Sequence, residues 1–370
     1  MPFDIDDYRR AAQRRLPRSV FDYVDGGAGK ERGLSRNRAA LDSLVFRPRA
    51  LTDVSRIDTS ATLFGRRLEL PILVAPMGMS GIVCPGADLI LARAAGRNGV
   101  PFILSTASTT SLETLARSVE ADLWFQLYVM QRDVAAMLVA RAAASGYRTL
   151  VLTVDVPVGG RRLRDARNGF SIPFRMTPEF IWSCVRRPGW SLRQALHGTP
   201  QFANLASADA SNFELQSALL QRRMDASFAW DDLGRLRDAW PHRLVVKGIQ
   251  SPEDAARCIE AGADAVVFSN HGGRQLEDAP APINVLAAMP GPADTPLLVD
   301  SGFRSGADVA KALALGADAV LVGRALLYGL AAAGEAGVQG VFDLFRAELE
   351  NTLALLGCPR AGDLTRSHLG

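Results

Sequence analysis

The chain is poor in the residues that staple a protein or bind metal. Its 370 residues include only four cysteines, Cys84, Cys184, Cys258 and Cys358, widely spaced and without a C-x-x-C pair. Such spacing argues against a disulfide framework or a zinc site and reads as free thiols in a reducing compartment. Four histidines are present, and His197 and His242 lack metal-ligand spacing. Charge of one sign is also missing: the net charge is +3, too mild to argue for a nucleic-acid partner. No uninterrupted apolar run reaches the roughly 18 residues expected of a membrane-spanning helix. The start, Met1-Pro2-Phe3-Asp4-Ile5-Asp6-Asp7, is acidic and unlike a signal peptide.

What is present is a repeat of short apolar runs separated by alanine-rich helical stretches. The runs are Pro71–Ala75, Phe102–Leu104, Leu123–Leu127, Thr149–Val154, Arg243–Lys247, Ala265–Ser269, Pro296–Asp300 and Ala319–Val322. Continuous apolarity fits parallel strands covered on both faces. Helical period recurs at Ala87–Ala95, Val134–Ala144, Ser251–Glu260 and Ala307–Leu315. Eight β–α units predict a (β/α)8 TIM barrel over about residues 71–340 within a single domain spanning 1–370. An open doubly wound sheet is the competing architecture, but no strand is followed by G-x-G-x-x-G. Residues 1 to about 70 read as an N-terminal helical cap, and about 170–225 as a long insertion after the fourth strand. The run Gly26-Gly27-Ala28-Gly29-Lys30 has the wrong spacing for a phosphate loop and reads as a turn after a helix.

In such barrels the chemistry sits at the C-terminal ends of the strands, and here those ends are polar or glycine-rich. In chain order they are Ala75-Pro76-Met77-Gly78; Ser105-Thr106-Ala107; Gln126 and Tyr128; Thr153 and Asp155, with Arg161 and Arg162 beyond; Lys247; Ser269-Asn270-His271-Gly272-Gly273-Arg274-Gln275; Asp300-Ser301-Gly302-Phe303-Arg304; and Gly323-Arg324. The His271 run joins a proton acceptor to a guanidinium fork that matches a carboxylate. Gly302, Arg304, Gly323 and Arg324 fall where barrels hold phosphate. None of these side chains accepts electrons, so an oxidation there requires a phosphorylated cofactor.

These residues resemble the FMN-dependent L-2-hydroxy acid dehydrogenases and oxidases. The likeness runs from Phe21-Asp22-Tyr23 through Leu70-Pro71-Ile72, Phe125-Gln126-Leu127-Tyr128, Thr153-Val154-Asp155, Lys247-Gly248 and the His271 run to Gly323-Arg324. It is strongest toward the membrane-associated mandelate-oxidising members, in Phe102–Ser108, the insertion and Met224–Phe228. The resemblance implies that His271 takes a proton from the substrate, with Asp155 holding the imidazolium. It implies that Tyr23, Arg274 and Arg162 bind the substrate carboxylate and that Tyr128 meets its hydroxyl. Pro76, Met77, Gly78, Ser105, Gln126, Thr153, Lys247 and Ser269 would contact the flavin ring, Asp300 the ribityl chain, and Gly302, Arg304, Gly323 and Arg324 the phosphate. Whether His271 removes the carbon proton or the hydroxyl proton stays open at this level.

Ala107 stands where short-chain relatives carry tryptophan, and Gly78 where many carry alanine. Both open space beside the flavin, so an aromatic acid such as mandelate is expected, with lactate the alternative. The insertion mixes Phe174, Met176, Phe180, Ile181, Trp182, Val185, Trp190, Leu192, Leu196 and Phe202 with Arg175, Arg186, Arg187 and Arg193, and has no acidic residue from Phe180 to Ala208. That composition suits an interfacial membrane segment, the alternative being a lid folded on the barrel. The resemblance implies a homotetramer peripheral on the inner, cytoplasmic face of the cell membrane, passing electrons to membrane quinone. An oxygen-using oxidase and a non-catalytic flavin scaffold are the other classes.

Overall fold

In the computed structural model the eight apolar runs close into one parallel barrel. The structure describes residues 2–171, 176–198, 200–205, 224–290 and 294–370. A hairpin of β1 (Ala61–Leu63) and β2 (Arg66–Leu68) comes first. The barrel strands are β3 (Ile72–Val74), β4 (Phe102–Ser105), β5 (Leu123–Leu127), β6 (Thr149–Thr153), β7 (Arg243–Ile249), β8 (Ala265–Phe268), β9 (Leu297–Val299) and β10 (Ala319–Val322). They follow one another around the ring, β10 closing on β3. The fold is therefore the (β/α)8 TIM barrel that the sequence predicts.

Burial on both strand faces explains the unbroken apolar runs. Leu73, Ile103, Trp124, Val151, Val245, Val267, Leu298 and Leu321 fill the barrel interior, while their sequence neighbours pack outward on the helices. The helices begin where the chain offers caps: the Ser251 hydroxyl accepts from the Asp254 amide, and Ser305 does the same for Asp308.

The N-terminal part is not wholly helical. Helices Ile5–Arg15, Arg18–Asp25 and Arg32–Ser43 precede the β1–β2 hairpin, whose Leu63 and Leu68 join the interior cluster and plug the end of the barrel opposite the site. Phe64 and Gly65 both have positive φ, 52° and 73°, as a tight hairpin turn requires. Helix Arg18–Asp25 ends at Gly26, so the glycine-rich run is a turn after a helix.

The insertion leaves the barrel between β6 and β7. Helix Leu163–Arg167 precedes it, and its described part holds helices Pro178–Val185 and Pro188–His197. Phe174, Arg175 and residues 206–223 lie outside the described residues. The last long helix, Arg324–Leu356, is the one described helix long and apolar enough to cross a membrane. It is kinked at Ala333–Gly334 and packs on helices Ile5–Arg15 and Gly306–Ala314, with 67% of its most apolar window buried in the protein.

Candidate active site

Strand register assembles the site from residues far apart in sequence. Ser105 of β4 pairs with Gln126 of β5, and Thr153 of β6 with Lys247 of β7. All four side chains are buried. The Ser105 hydroxyl donates to Gln126 Oε1 at 2.9 Å, which leaves Gln126 Nε2 with no partner among the described residues; Thr153 Oγ1 is orphaned likewise. Lys247 Nζ lies 2.8 Å from Asp300 Oδ2 and donates to Ser269 Oγ at 2.8 Å. Burial works against its charge, but the carboxylates of Asp300 and Asp155 outweigh that and raise its pKa above the ordinary value, so the ammonium persists.

The loop after β8 is bent into place. His271, Gly272 and Gly273 all have positive φ, 58°, 65° and 72°, and at His271 this conformation is strained for a side chain. Asn270 fixes the bend. Its Oδ1 accepts from the Gly273 amide at 2.9 Å and from Asn37 Nδ2 at 2.9 Å, and its own amide donates back to Asn37 Oδ1 at 2.7 Å. His271 then stands between two partners. Its Nδ1 is 3.0 Å from Asp155 Oδ1. An ionised carboxylate only accepts, so Nδ1 carries the hydrogen and Nε2 is left as an acceptor, 3.3 Å from the Tyr128 hydroxyl. Burial raises the Asp155 pKa, but the interaction and hydrogen bond with His271 and the Lys247 charge overcome it, leaving the net shift downward. Asp155 Oδ2 has no partner among the described residues.

A cavity of about 870 Å³ opens at the C-terminal end of the barrel, beside these groups. Pro76, Met77, Gly78, Ala107, Tyr128, Thr153, Lys247, His271 and Asp300 line it, as do Tyr23, Arg162 and Arg274. The Arg274 and Arg162 guanidiniums lie 5.1 and 5.9 Å from the Tyr23 ring centre. Arg162 Nε and Nη1 are buried without a hydrogen-bond partner among the described residues, although Asp165 Oδ2 lies 4.0 Å from Nη1. Arg274 is partly committed, since its Nη1 donates to the carbonyls of Tyr23, Val24 and Gly26.

Gly302, Arg304, Gly323 and Arg324 meet at one end of the cavity, at the N-terminus of helix Arg324–Leu356. The Arg324 guanidinium donates to the carbonyls of Val24, Gly272 and Gly26, so it also ties the N-terminal segment to the site. Burial and the like charges of Arg274 and Arg304 push it down to about 9. The surroundings of this guanidinium are thus short of negative charge, and a phosphate dianion at a helix N-terminus supplies it. The orphaned Gln126 and Thr153 donors beside a buried ammonium likewise suit the carbonyl and ring-nitrogen acceptors of a flavin. The residues present therefore fit FMN. Among the described residues no His, Cys, Asp and Glu cluster suits a metal.

Residues 12–370 match the family described as FMN-dependent dehydrogenase. The chain belongs to that family. As an FMN-dependent dehydrogenase it is 50% identical over 367 residues to an (S)-mandelate dehydrogenase of Pseudomonas putida, covering 99% of this chain and 93% of that one. It is 44% identical over 360 residues to an L-lactate dehydrogenase of Caulobacter vibrioides, covering 95% and 93%. Among solved structures, the monotopic membrane protein (S)-mandelate dehydrogenase superposes with a TM-score of 0.97 at 50% identity, covering 100% of this chain and 99% of that one. A mandelate oxidase bound to 3,3-difluoro-2-hydroxy-3-phenylpropionic acid superposes with 0.82 at 37%, covering 100% and 98%. This FMN-dependent dehydrogenase is a flavoenzyme acting on 2-hydroxy acids.

All the residues singled out from sequence come to the same end of the barrel. Several others there were not singled out for the site. Asp165 lines the cavity three residues after Arg162, a helical spacing that could have drawn notice. Phe170 stacks on Tyr23 with ring centres 4.5 Å apart, and Phe202 and Met224 of the insertion also line the cavity. The contacts of Asn37 and Asn270 leave no local sequence signal.

Proposed function

We propose that the protein oxidises an aromatic (S)-2-hydroxy acid, mandelate or a close analogue, to the 2-oxo acid and delivers the electrons to membrane quinone. The observation that carries this reading is a paired proton acceptor, Asp155–His271–Tyr128, facing a cavity that also holds two arginines and, at position 107, only a methyl group. Arg162 and Arg274, with Tyr23, hold the carboxylate. Tyr128 orients the hydroxyl against His271 Nε2, which receives the proton that leaves the substrate, and Asp155 stabilises the resulting imidazolium. FMN, held by Ser105, Gln126, Thr153, Lys247, Ser269, Asp300 and the Gly302–Arg304 and Gly323–Arg324 cradle, supplies the two-electron acceptor. Lys247 stabilises negative charge on that side of the cavity.

Position 107 supports the aromatic substrate. Ala107 is buried and, with Gly78, lines the cavity; a Cβ at Gly78 would come within 2.9 Å of the Ala107 Cβ, so alanine at 78 would force Ala107 to shift, and the two positions are held small together. Comparison of kcat/KM on (S)-mandelate and L-lactate tests the reading: mandelate is expected to lead by at least about tenfold, roughly 1.4 kcal/mol of transition-state binding, and a lead for lactate would reassign the substrate.

The acceptor reading rests on the insertion. Trp182, Val185, Leu192 and Leu196 are exposed at 63%, 62%, 64% and 74%, beside Arg186, Arg187 and Arg193, a pairing of apolar and cationic side chains suited to the membrane interface. The solved relative described as a monotopic membrane protein supports a peripheral position, proposed to be the cytoplasmic face of the cell membrane. The proposed homotetramer is checked by light scattering of the detergent-solubilised holoenzyme. Slow reoxidation by oxygen and fast reoxidation by a soluble quinone are the expected behaviour of the reduced flavin; the reverse order would make the protein an oxidase.

A further inference from the structure

We infer that Asp165 is an internal competitor for the substrate's carboxylate, an acidic side chain set in the cavity wall that engages the arginine pair when no ligand is present and weakens its hold on anions. The inference rests on the reading that Arg162 and Arg274 bind that carboxylate. Asp165 lines the same cavity as both arginines and is only 15% exposed. It lies in the short helix Leu163–Arg167, one turn beyond Arg162, with its Oδ2 4.0 Å from Arg162 Nη1. That distance attracts without hydrogen bonding. It agrees with the buried Arg162 Nε and Nη1 having no hydrogen-bond partner among the described residues. The Asp165 charge is close enough to be felt by the guanidinium and too far to saturate it.

The neighbours of Asp165 prevent a tighter pair elsewhere. From its own helix Arg164 faces the N-terminal acids, pairing with Asp22, Asp25 and Glu31. Arg274 approaches from the loop after β8, while Asp22 and Glu31 repel from the N-terminal segment. His271 and Lys247 share the cavity. Burial, only partly offset by Arg274 and reinforced by Asp22, raises the Asp165 carboxyl to about 6. Asp165 is therefore mostly charged at neutral pH, half protonated near pH 6 and mostly neutral only well below that. An anion entering the cavity at pH 8 meets a fixed negative charge; at pH 5.5 it meets an acid more protonated than not.

Phenylacetate tests this directly, because it keeps the ring and the carboxylate and has no hydroxyl to oxidise. It is titrated into the oxidised holoenzyme and its binding followed by the change in flavin absorbance from pH 5.5 to 8. The wild-type Kd is expected to rise by about three- to tenfold across that range, the effect of one partly screened charge at this separation. Asp165→Asn should bind at pH 8 nearly as tightly as wild type does at pH 5.5, should lose most of the pH slope, and should lower KM for the 2-hydroxy acid more than it changes kcat. Asp165→Ser, measured in parallel, covers the case in which the amide does not fold, and Asp165→Glu should retain the slope. A flat wild-type curve, or a slope in the Asn and Ser variants equal to that of wild type, overturns the proposal and, in the second case, assigns the pH dependence to a group other than Asp165. If phenylacetate fails to bind at any pH, or if Arg274→Lys leaves its affinity unchanged, the carboxylate reading of the two arginines falls and this inference falls with it.

Discussion

His271 is set by three constraints that do not depend on one another. Its main chain is strained, its Nδ1 is taken by a buried carboxylate, and its Nε2 faces a phenol across the cavity. Replacing it with glutamine removes the proton acceptor and leaves the cavity wall in place. Turnover in His271→Gln should fall by about 10²–10⁴ while flavin content, read from the visible spectrum of the purified protein, stays near one per chain. Loss of the flavin in parallel would assign the histidine a structural role instead. Lys247 makes the opposite case. It is buried against Asp300 and Ser269, so Lys247→Met leaves Asp300 as an uncompensated buried charge. Its cost is expected to be about 3–5 kcal/mol in unfolding free energy, measured by urea denaturation, together with weaker FMN retention on dialysis.

At the scale of elements, the insertion has two faces with different fates. Trp190 Nε1 donates to the Ile82 carbonyl at 2.8 Å, and the Gln194 amide donates to the Gly81 and Ile82 carbonyls. Asn204 donates to the Ser105 carbonyl and the Ser108 hydroxyl and accepts from the Leu112 amide. The insertion is thereby fastened to the loops after β3 and β4, which carry Gly78 and Ala107, while Trp182, Val185, Leu192 and Leu196 are left outside. Replacing those four with glutamine or serine should move the protein from the membrane pellet to the supernatant after centrifugation. Each exposed side chain withheld from lipid forgoes roughly 1.5–3 kcal/mol. Turnover with a soluble dye should stay within about threefold, because the fastening residues are untouched; a protein that still pellets would refute the docking face. The same division shows what the sequence could and could not disclose. The eight strands were legible because strands covered on both sides are apolar throughout, and the strand-end residues because a barrel gathers its strand ends. The β1–β2 hairpin was not, since strands of three residues are too short for a pattern. Nor was the sorting of insertion residues into a barrel face and an outer face, because Trp182 and Trp190 look alike until a distant carbonyl, that of Ile82, claims one of them. The direction of the Arg324 guanidinium was hidden for the same reason: its carbonyl partners at Val24 and Gly26 lie at the other end of the chain.

Across the whole molecule, one buried carboxylate holds four pieces together. Asp25, 6% exposed, accepts from Arg9 Nε at 2.6 Å, from Arg164 Nη1 at 2.8 Å and from the Tyr328 hydroxyl at 2.7 Å. Helix Ile5–Arg15, helix Arg18–Asp25, the segment that bears Arg162, and the long C-terminal helix thus meet at one side chain. Glu31 and Asp22 extend the knot through Arg164, and Asn168 donates to Asp22. Burial raises the Asp25 pKa, but the bonds from Arg9, Arg164 and Tyr328 more than reverse this and hold the carboxyl far below the usual carboxylate range. A carboxylate with a depressed folded-state pKa adds stability that is complete above its unfolded value, about 3.9, and is lost as pH falls toward the folded value. Asp165 has the opposite sign: raised to about 6, it favours the native state below about pH 4, and that contribution disappears as pH rises through 6. The two variants should therefore separate by pH. Asp25→Asn is expected to lower unfolding free energy by about 3 kcal/mol, evenly from pH 5 to 8, because Asp25 stays ionised in both states throughout that window. Asp165→Asn is expected to raise stability at pH 8 and to lose most of that gain by pH 4.5. Urea midpoints taken at half-unit pH intervals decide the matter: an Asp25→Asn loss that shrinks steadily between pH 8 and pH 5 would mean that the knot titrates within that range, and that the N-terminal segment is held over the cavity by something other than this carboxylate.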